Sequence, residues 1–324
     1  MAHWIISGFE VRNAHGCGID RRVSEEGHNE DILIRNNRVH HNGLASEDTG
    51  IFAAFSDHVT IENNDSYANG EHGIYVNNSS DNFIIRGNHL HDNAAAGIHL
   101  NGDASMGGDG MMSIGLIEGN IIHDNGQEGG AAINMDGVED TLVVNNLLYR
   151  NHASGIAIYQ QDGAACSRRN RIWFNTVLMP DDGRWALIIN GEGCADNQIF
   201  NNIFLSEHEW RGSINIATGE APGLQSDFNI VSDRFTVDDG DSVLTLAEWQ
   251  ALGYDAHSFI AAANELFVSE ARDDFRLRSG SPAIDAGKEV PGVTADIDGT
   301  ARPSGTGYDI GAYEFIEEKG SALL

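Results

Sequence analysis

A block of the form apolar-x-apolar-x-x-Asn recurs along the chain, with its asparagine at Asn37, Asn64, Asn88, Asn120, Asn146, Asn175 and Asn202. The intervals are 27, 24, 32, 26, 29 and 27 residues. A second signature, small-Ile-x-apolar, alternates with it at Gly18-Ile19, Gly50-Ile51, Gly73-Ile74, Gly97-Ile98, Ala132-Ile133, Gly155-Ile156, Ala186-Leu187 and Ser213-Ile214. Both alternate apolar and polar residues, which is strand periodicity, and neither is long enough for a helix.

Two or three short strands joined by Asn- and Gly-rich turns cannot bury an apolar face alone. Stacked in parallel about 4.8 Å apart they can, and the apolar positions merge into one column. An asparagine at the same place in every coil bonds its own turn and the next asparagine along, which avoids the cost of a buried unpaired amide. The pattern therefore predicts an all-β parallel solenoid of about eight coils over residues 1–221, with 222–324 as a capping segment. After Ala217 the period stops. Residues 240–258 read as a short helix, with Ser242 or Thr245 as its cap.

The asparagine ladder and the Gly-Ile strands, over roughly residues 4 to 217, resemble the pectin lyase-like superfamily of right-handed parallel β-helix proteins. The resemblance implies that fold and a carbohydrate polymer as partner. The superfamily hosts lyases, hydrolases, epimerases and proteins without catalysis, so the fold does not choose among them. The stretches around FVSEARDDFRLRSGSPAIDAG and DIDGTARPSGTGYDIGAYEF look like the irregular tail of many secreted bacterial β-helix proteins, which hides terminal strand edges. A separate ligand-binding domain is the alternative for this segment.

Composition narrows the partners. The net charge is −30, from 49 acidic against 19 basic residues, so nucleic acid finds no basic patch. Such acidity suits an extracellular or salty setting and can recruit cations. No run of eighteen apolar residues offers a membrane span. The segment MAHWIISGFEV lacks the regions of a signal peptide, and the repeat is already running at Trp4; further coils, a cap or an export signal are expected upstream. The two lysines, Lys288 and Lys319, both lie beyond the repeats, so chemistry on the solenoid must do without lysine. Cys166 and Cys194 fall at nearly the same place on neighbouring coils, either as a disulfide or as two small buried thiols.

In the small-Ile-x-apolar-x strands the two x positions point outward. The first column reads Asp20, Phe52, Tyr75, His99, Asn134, Ala157, Ile188, Asn215; the second reads Arg22, Ala54, Asn77, Asn101, Asp136, Tyr159, Asn190, Ala217. Coils three to six thus gather Tyr75, Asn77, His99, Asn101, Asn134, Asp136 and Tyr159 into a candidate glycan-binding face, with rings for sugar stacking beside amides and a carboxylate. Longer connections carry Glu47, Asp48 and Glu128 on one rim, while the insertion at 102–112 supplies Asp103 and Asp109 on the other. The bland alternative for Asn101-Gly102, Asp136-Gly137 and Asn190-Gly191 is that they are turn dipeptides ending strands. His40, His91 and His123, each two residues before a turn asparagine, read as repeat residues rather than ligands.

Three readings compete. A polysaccharide lyase, with epimerases sharing its chemistry, needs a base: His99, Tyr75 or Tyr159, with Arg168 or Arg169 beside the uronate and calcium from Asp103, Asp109, Glu128 and Asp136 as an alternative charge partner. A glycoside hydrolase needs two carboxylates, for which Asp136 with Glu128 or Asp103 is the candidate pair. The third is a non-catalytic solenoid that binds an oligosaccharide or polysaccharide or serves a structural role.

Overall fold

The computed structural model of the chain describes residues 4–22 and 31–317; Lys319 lies outside them. Three parallel sheets form the walls. The first runs from Trp4–Ser7 to Gln225–Asp227 in nine strands, the second from Glu10–Arg12 to Phe259–Ile260 in ten, and the third from Ile19–Arg21 to Phe235–Thr236 in nine. Every neighbour in a sheet comes from the adjacent coil. The chain therefore winds through nine full coils, one more than the eight signatures count. Strands Gln225–Asp227, Ile230–Val231, Phe235–Thr236 and Phe259–Ile260 continue the three sheets past residue 221.

Inward positions build one apolar column. Ile51, Ile74, Ile98, Ile133, Ile156, Leu187 and Ile214 are fully shielded, and the register pairs each with the next. At the corner between the first and second sheets, Asn37, Asn64, Asn88, Asn120, Asn146, Asn175, Asn202 and Asn229 stand in file. Each of the first seven donates through Nδ2 to the next Oδ1 at 2.9–3.1 Å. Nδ2 also reaches a main-chain carbonyl of the preceding coil, such as Asn120 to Ile85 at 3.0 Å. Each buried amide is thereby satisfied, and the register of adjacent coils is locked.

A second ladder, Asn42, Asn69, Asn93, Asn125 and Asn151, fills the corner between the second and third sheets with the same bonding. Cys166 and Cys194 are joined in a disulfide across neighbouring coils, buried in the core.

The far end of the column is closed by the helix Leu246–Ala251. Thr245 caps it in a reciprocal capping box with Glu248, which satisfies two end donors at once. Trp249 is fully buried, stacks on Phe235 at 4.9 Å, and donates Nε1–H to Asp255 at 2.7 Å. A second short helix, Ala263–Leu266, follows. The remaining segment runs back along the side of the solenoid. Arg302 there forms a fully buried ion pair with Glu314 at 2.8 Å, lies over Phe174, and bonds ladder-side Asn145.

Candidate functional site

The third sheet arranges the outward columns as the pattern implies. Tyr75, His99, Asn134 and Ala157 are register partners in succession, and Asn77, Asn101, Asp136 and Tyr159 form the parallel file. Tyr75 stacks on His99 with centroids 4.7 Å apart. Between them and Tyr159 lie the short side chains Asn134 and Asp136, so the tyrosine reaches back over one coil and sets its hydroxyl 3.4 Å from His99 Nε2.

A residue not singled out from the sequence completes the cluster. His72, buried beside the start of the Ile74–Asn77 strand, accepts the Ala96 N–H on Nδ1 at 3.1 Å. Its proton is therefore on Nε2, which lies 2.8 Å from His99 Nδ1 and 3.3 Å from Glu71 Oε1. His99 Nδ1 then accepts, its own proton sits on Nε2, and that N–H faces the Tyr159 oxygen. Burial lowers the pKa of His99 to about 4 and that of His72 well below the ordinary value, so both rings are neutral at pH 7. Burial, with the charge of Asp136 adding to it, raises Tyr159 above the ordinary phenol value. The signal for His72 was its place before Gly73, where neighbouring coils carry Thr49 and Ala96.

Around this core, Asn101 donates Nδ2–H to the Tyr75 hydroxyl at 3.2 Å and lies 3.4 Å from Asp162. The insertion at 102–112 zips onto residues 160–164 through Ala104 N–H to Asp162 and Ala164 N–H to Gly110, at 2.8 and 2.9 Å. These loops wall one side of the face and shield Asn77, Asn101 and Asn134 despite their outward direction.

The other sequence candidates fall elsewhere. Asp136 is buried, and its two oxygens accept the N–H groups of Gln161, Asp162 and Gly163 at 2.8, 2.8 and 3.2 Å. It builds the loop rather than facing solvent, and with both oxygens occupied it leaves the carboxylate-pair reading without its central member. Glu128 is exposed on the rim. Arg169 pairs through Nε and Nη2 with Asp140, at 2.7 Å, and with Glu139 at 2.9 Å, which orients it along this turn. Asp103 caps the turn Ala104–Met106 through Ser105, and Asp109 accepts the Met111 N–H. Neither belongs to a group of three metal-ligating side chains among the described residues.

Successive rungs in register, ladder corners and a side-packed tail define a right-handed parallel β-helix, the fold that the resemblance to the pectin lyase-like superfamily implied. Residues 2–108 match the family model described as "Right handed beta helix region". Over 121 residues the chain is 31% identical to mannuronan C5-epimerase AlgE5 of Azotobacter vinelandii, a match covering 37% of this chain and 11% of that protein. AlgE2 of the same organism matches equally, 31% over 120 residues and again 11% of its length. Among solved structures, the Azotobacter vinelandii mannuronan C-5 epimerase AlgE6 A-module superimposes with a TM-score of 0.50 at 18% identity, over 68% of this chain and 63% of that one. The complex of XylC with xylose gives 0.54 at 12% identity, over 88% and 50%.

Proposed function

We propose that this chain acts on an extracellular uronic-acid polysaccharide by moving the proton at C5 of a uronate, the step that β-elimination and epimerisation share, with Tyr159 as the group that takes that proton. The observation that carries this reading is the His72–His99–Tyr159 chain. A neutral imidazole held in one tautomer aims an N–H at a phenol oxygen, and a donor there favours the oxygen when it becomes anionic. His99 on this reading supports the base rather than serving as it. Tyr75, packed between Phe52 and His99, lends its edge to this face. Its hydroxyl, which accepts from Asn101, is a polar contact for a sugar hydroxyl or carboxylate beside the buried amides of Asn77, Asn101 and Asn134. Amides suit a uronate better than carboxylates do in a chain of this net charge. The epimerase relatives act on a mannuronan by their names, which makes polymannuronate the first substrate to try.

The experiment is incubation of the chain with polymannuronate and polygalacturonate in D₂O, with and without added Ca²⁺, followed by NMR of the C5 position and by absorbance of an unsaturated product. Either solvent deuterium at C5, from reprotonation, or an unsaturated product, from elimination, is expected, and Tyr159→Phe removes it. New reducing ends without exchange or unsaturation would mean hydrolysis. Binding without any of these would mean a non-catalytic solenoid; either result ends the proposal.

A further inference from the structure

On the second sheet, away from the His99 face, Asp65, His89, His91 and His123 stand side by side on three successive coils. The register pairs His89 with Asp65 and with Ile121, and His91 with Tyr67 and His123. One ligand atom from each of Asp65, His89 and His91 falls within 4.8 Å of the other two. The protons of these rings can be placed from their partners. His91 Nδ1 lies 2.6 Å from Asp92, so its proton is there and Nε2 is bare. His123 Nδ1 lies 2.6 Å from Asp124, so its Nε2 is bare as well. That nitrogen is 2.8 Å from His89 Nε2, which must therefore carry the bridging proton and leave His89 Nδ1 bare.

The outcome is three lone pairs facing one another. With both rings neutral, Asp65 Oδ1 lies 3.3 Å from the bare His89 Nδ1 and 3.3 Å from the bare His91 Nε2. The same oxygen is shielded from solvent and receives no hydrogen bond, although an orphaned carboxylate oxygen is costly. The rings are also held in place: His91 is sandwiched between Tyr67 and His123 at 4.7 and 5.1 Å. Asp92, accepting the far N–H of His91, is the outer carboxylate that commonly orients a metal-bound imidazole.

We infer that Asp65, His89 and His91 form a binding site for a divalent cation of the zinc class. Two imidazole nitrogens and one carboxylate oxygen match that class, and half-exposed His89 leaves the remaining coordination position open to solvent. The bound ion supplies the charge that the three facing lone pairs lack, and it cross-links the third and fourth coils on this face. The repeat had marked His91 as a structural residue; its unprotonated Nε2 makes it a ligand.

The test uses the tag-free chain, stripped with chelator and titrated with Zn²⁺ by calorimetry, with metal content measured after dialysis. One equivalent is expected for the wild type, with affinity reduced at least about tenfold in Asp65→Asn and in His91→Ala, and roughly 10–100-fold in Asp92→Asn. Should His91→Ala fail to fold, as circular dichroism would reveal, His89→Gln on the exposed rim gives the same readout. No retained zinc in the wild type, or undiminished binding in Asp65→Asn, overturns the site. The readout is binding alone, so it stands or falls apart from any activity at His99.

Discussion

His72 Nε2 donates to His99 Nδ1 across 2.8 Å, and this one bond sets which nitrogen of His99 carries its proton. It fixes His99 in the tautomer that presents a proton to Tyr159.

Removing that donor should therefore matter as much as removing its target. His99→Ala is expected to abolish turnover of polyuronate and, because it leaves the buried His72 N–H without its acceptor, to lower the melting temperature modestly. His72→Gln should cut kcat by roughly 10²-fold or more with KM little altered, since it disturbs the oxygen that develops charge. Full activity in His99→Ala would remove the ring from the site.

The pH response follows from the shifted groups. Because Tyr159 is raised, its phenolate is reached only well into the alkaline range, so kcat/KM should climb with pH above neutral and the climb should vanish in Tyr159→Phe. A profile that falls above pH 7 would argue against the phenolate base.

Stability should respond on the acid side. The folded His99 titrates at about 4 against an ordinary 6.5, so between these values the unfolded chain binds the extra proton. Stability from this ring is fully present above pH 6.5 and is lost as pH falls towards 4, by on the order of 3 kcal/mol. Chemical denaturation from pH 7 to 4 should show this slope in the wild type and a weaker one in His99→Gln.

Asn120→Leu tests the ladder. The change removes the donor to Ile85 and Asn146 and the acceptor of the Asn88 main-chain and side-chain N–H groups. Each buried group left unpaired costs roughly 1–3 kcal/mol, so the unfolding midpoint should drop sharply. An unaltered melt would contradict the buried ladder.

Glu314→Ala examines how the tail is held. It strands Arg302 fully buried beside Phe174, and loss of one partner of a buried pair costs about 3–5 kcal/mol. Denaturant titration should detect it, and limited proteolysis should cut first within 287–317.

The solenoid was legible because burial repeats. Whatever lies at the same phase of each coil meets the same neighbours, so Asn37 through Asn202 and Ile51 through Ile214 announce themselves by interval alone. The second ladder was legible too, since Asn42, Asn69, Asn93 and Asn125 keep the first ladder's spacing, yet a lone Asn before Gly or Ala reads as a turn. The outward columns likewise follow from strand alternation, which puts Tyr75, His99 and Tyr159 on one face.

What only the tertiary structure decided is which polar groups are already occupied. Asp136 and Arg169 have the right chemistry for a site, but loop N–H groups and the Asp140 carboxylate claim them, and no interval in the chain encodes that. His72 and Asp65 gain their meaning in the opposite way, from partners a whole coil distant. Repetition along the chain encodes stacking because stacking is itself periodic. Proton placement depends on single contacts between coils, and those are settled only once the backbone has closed around them.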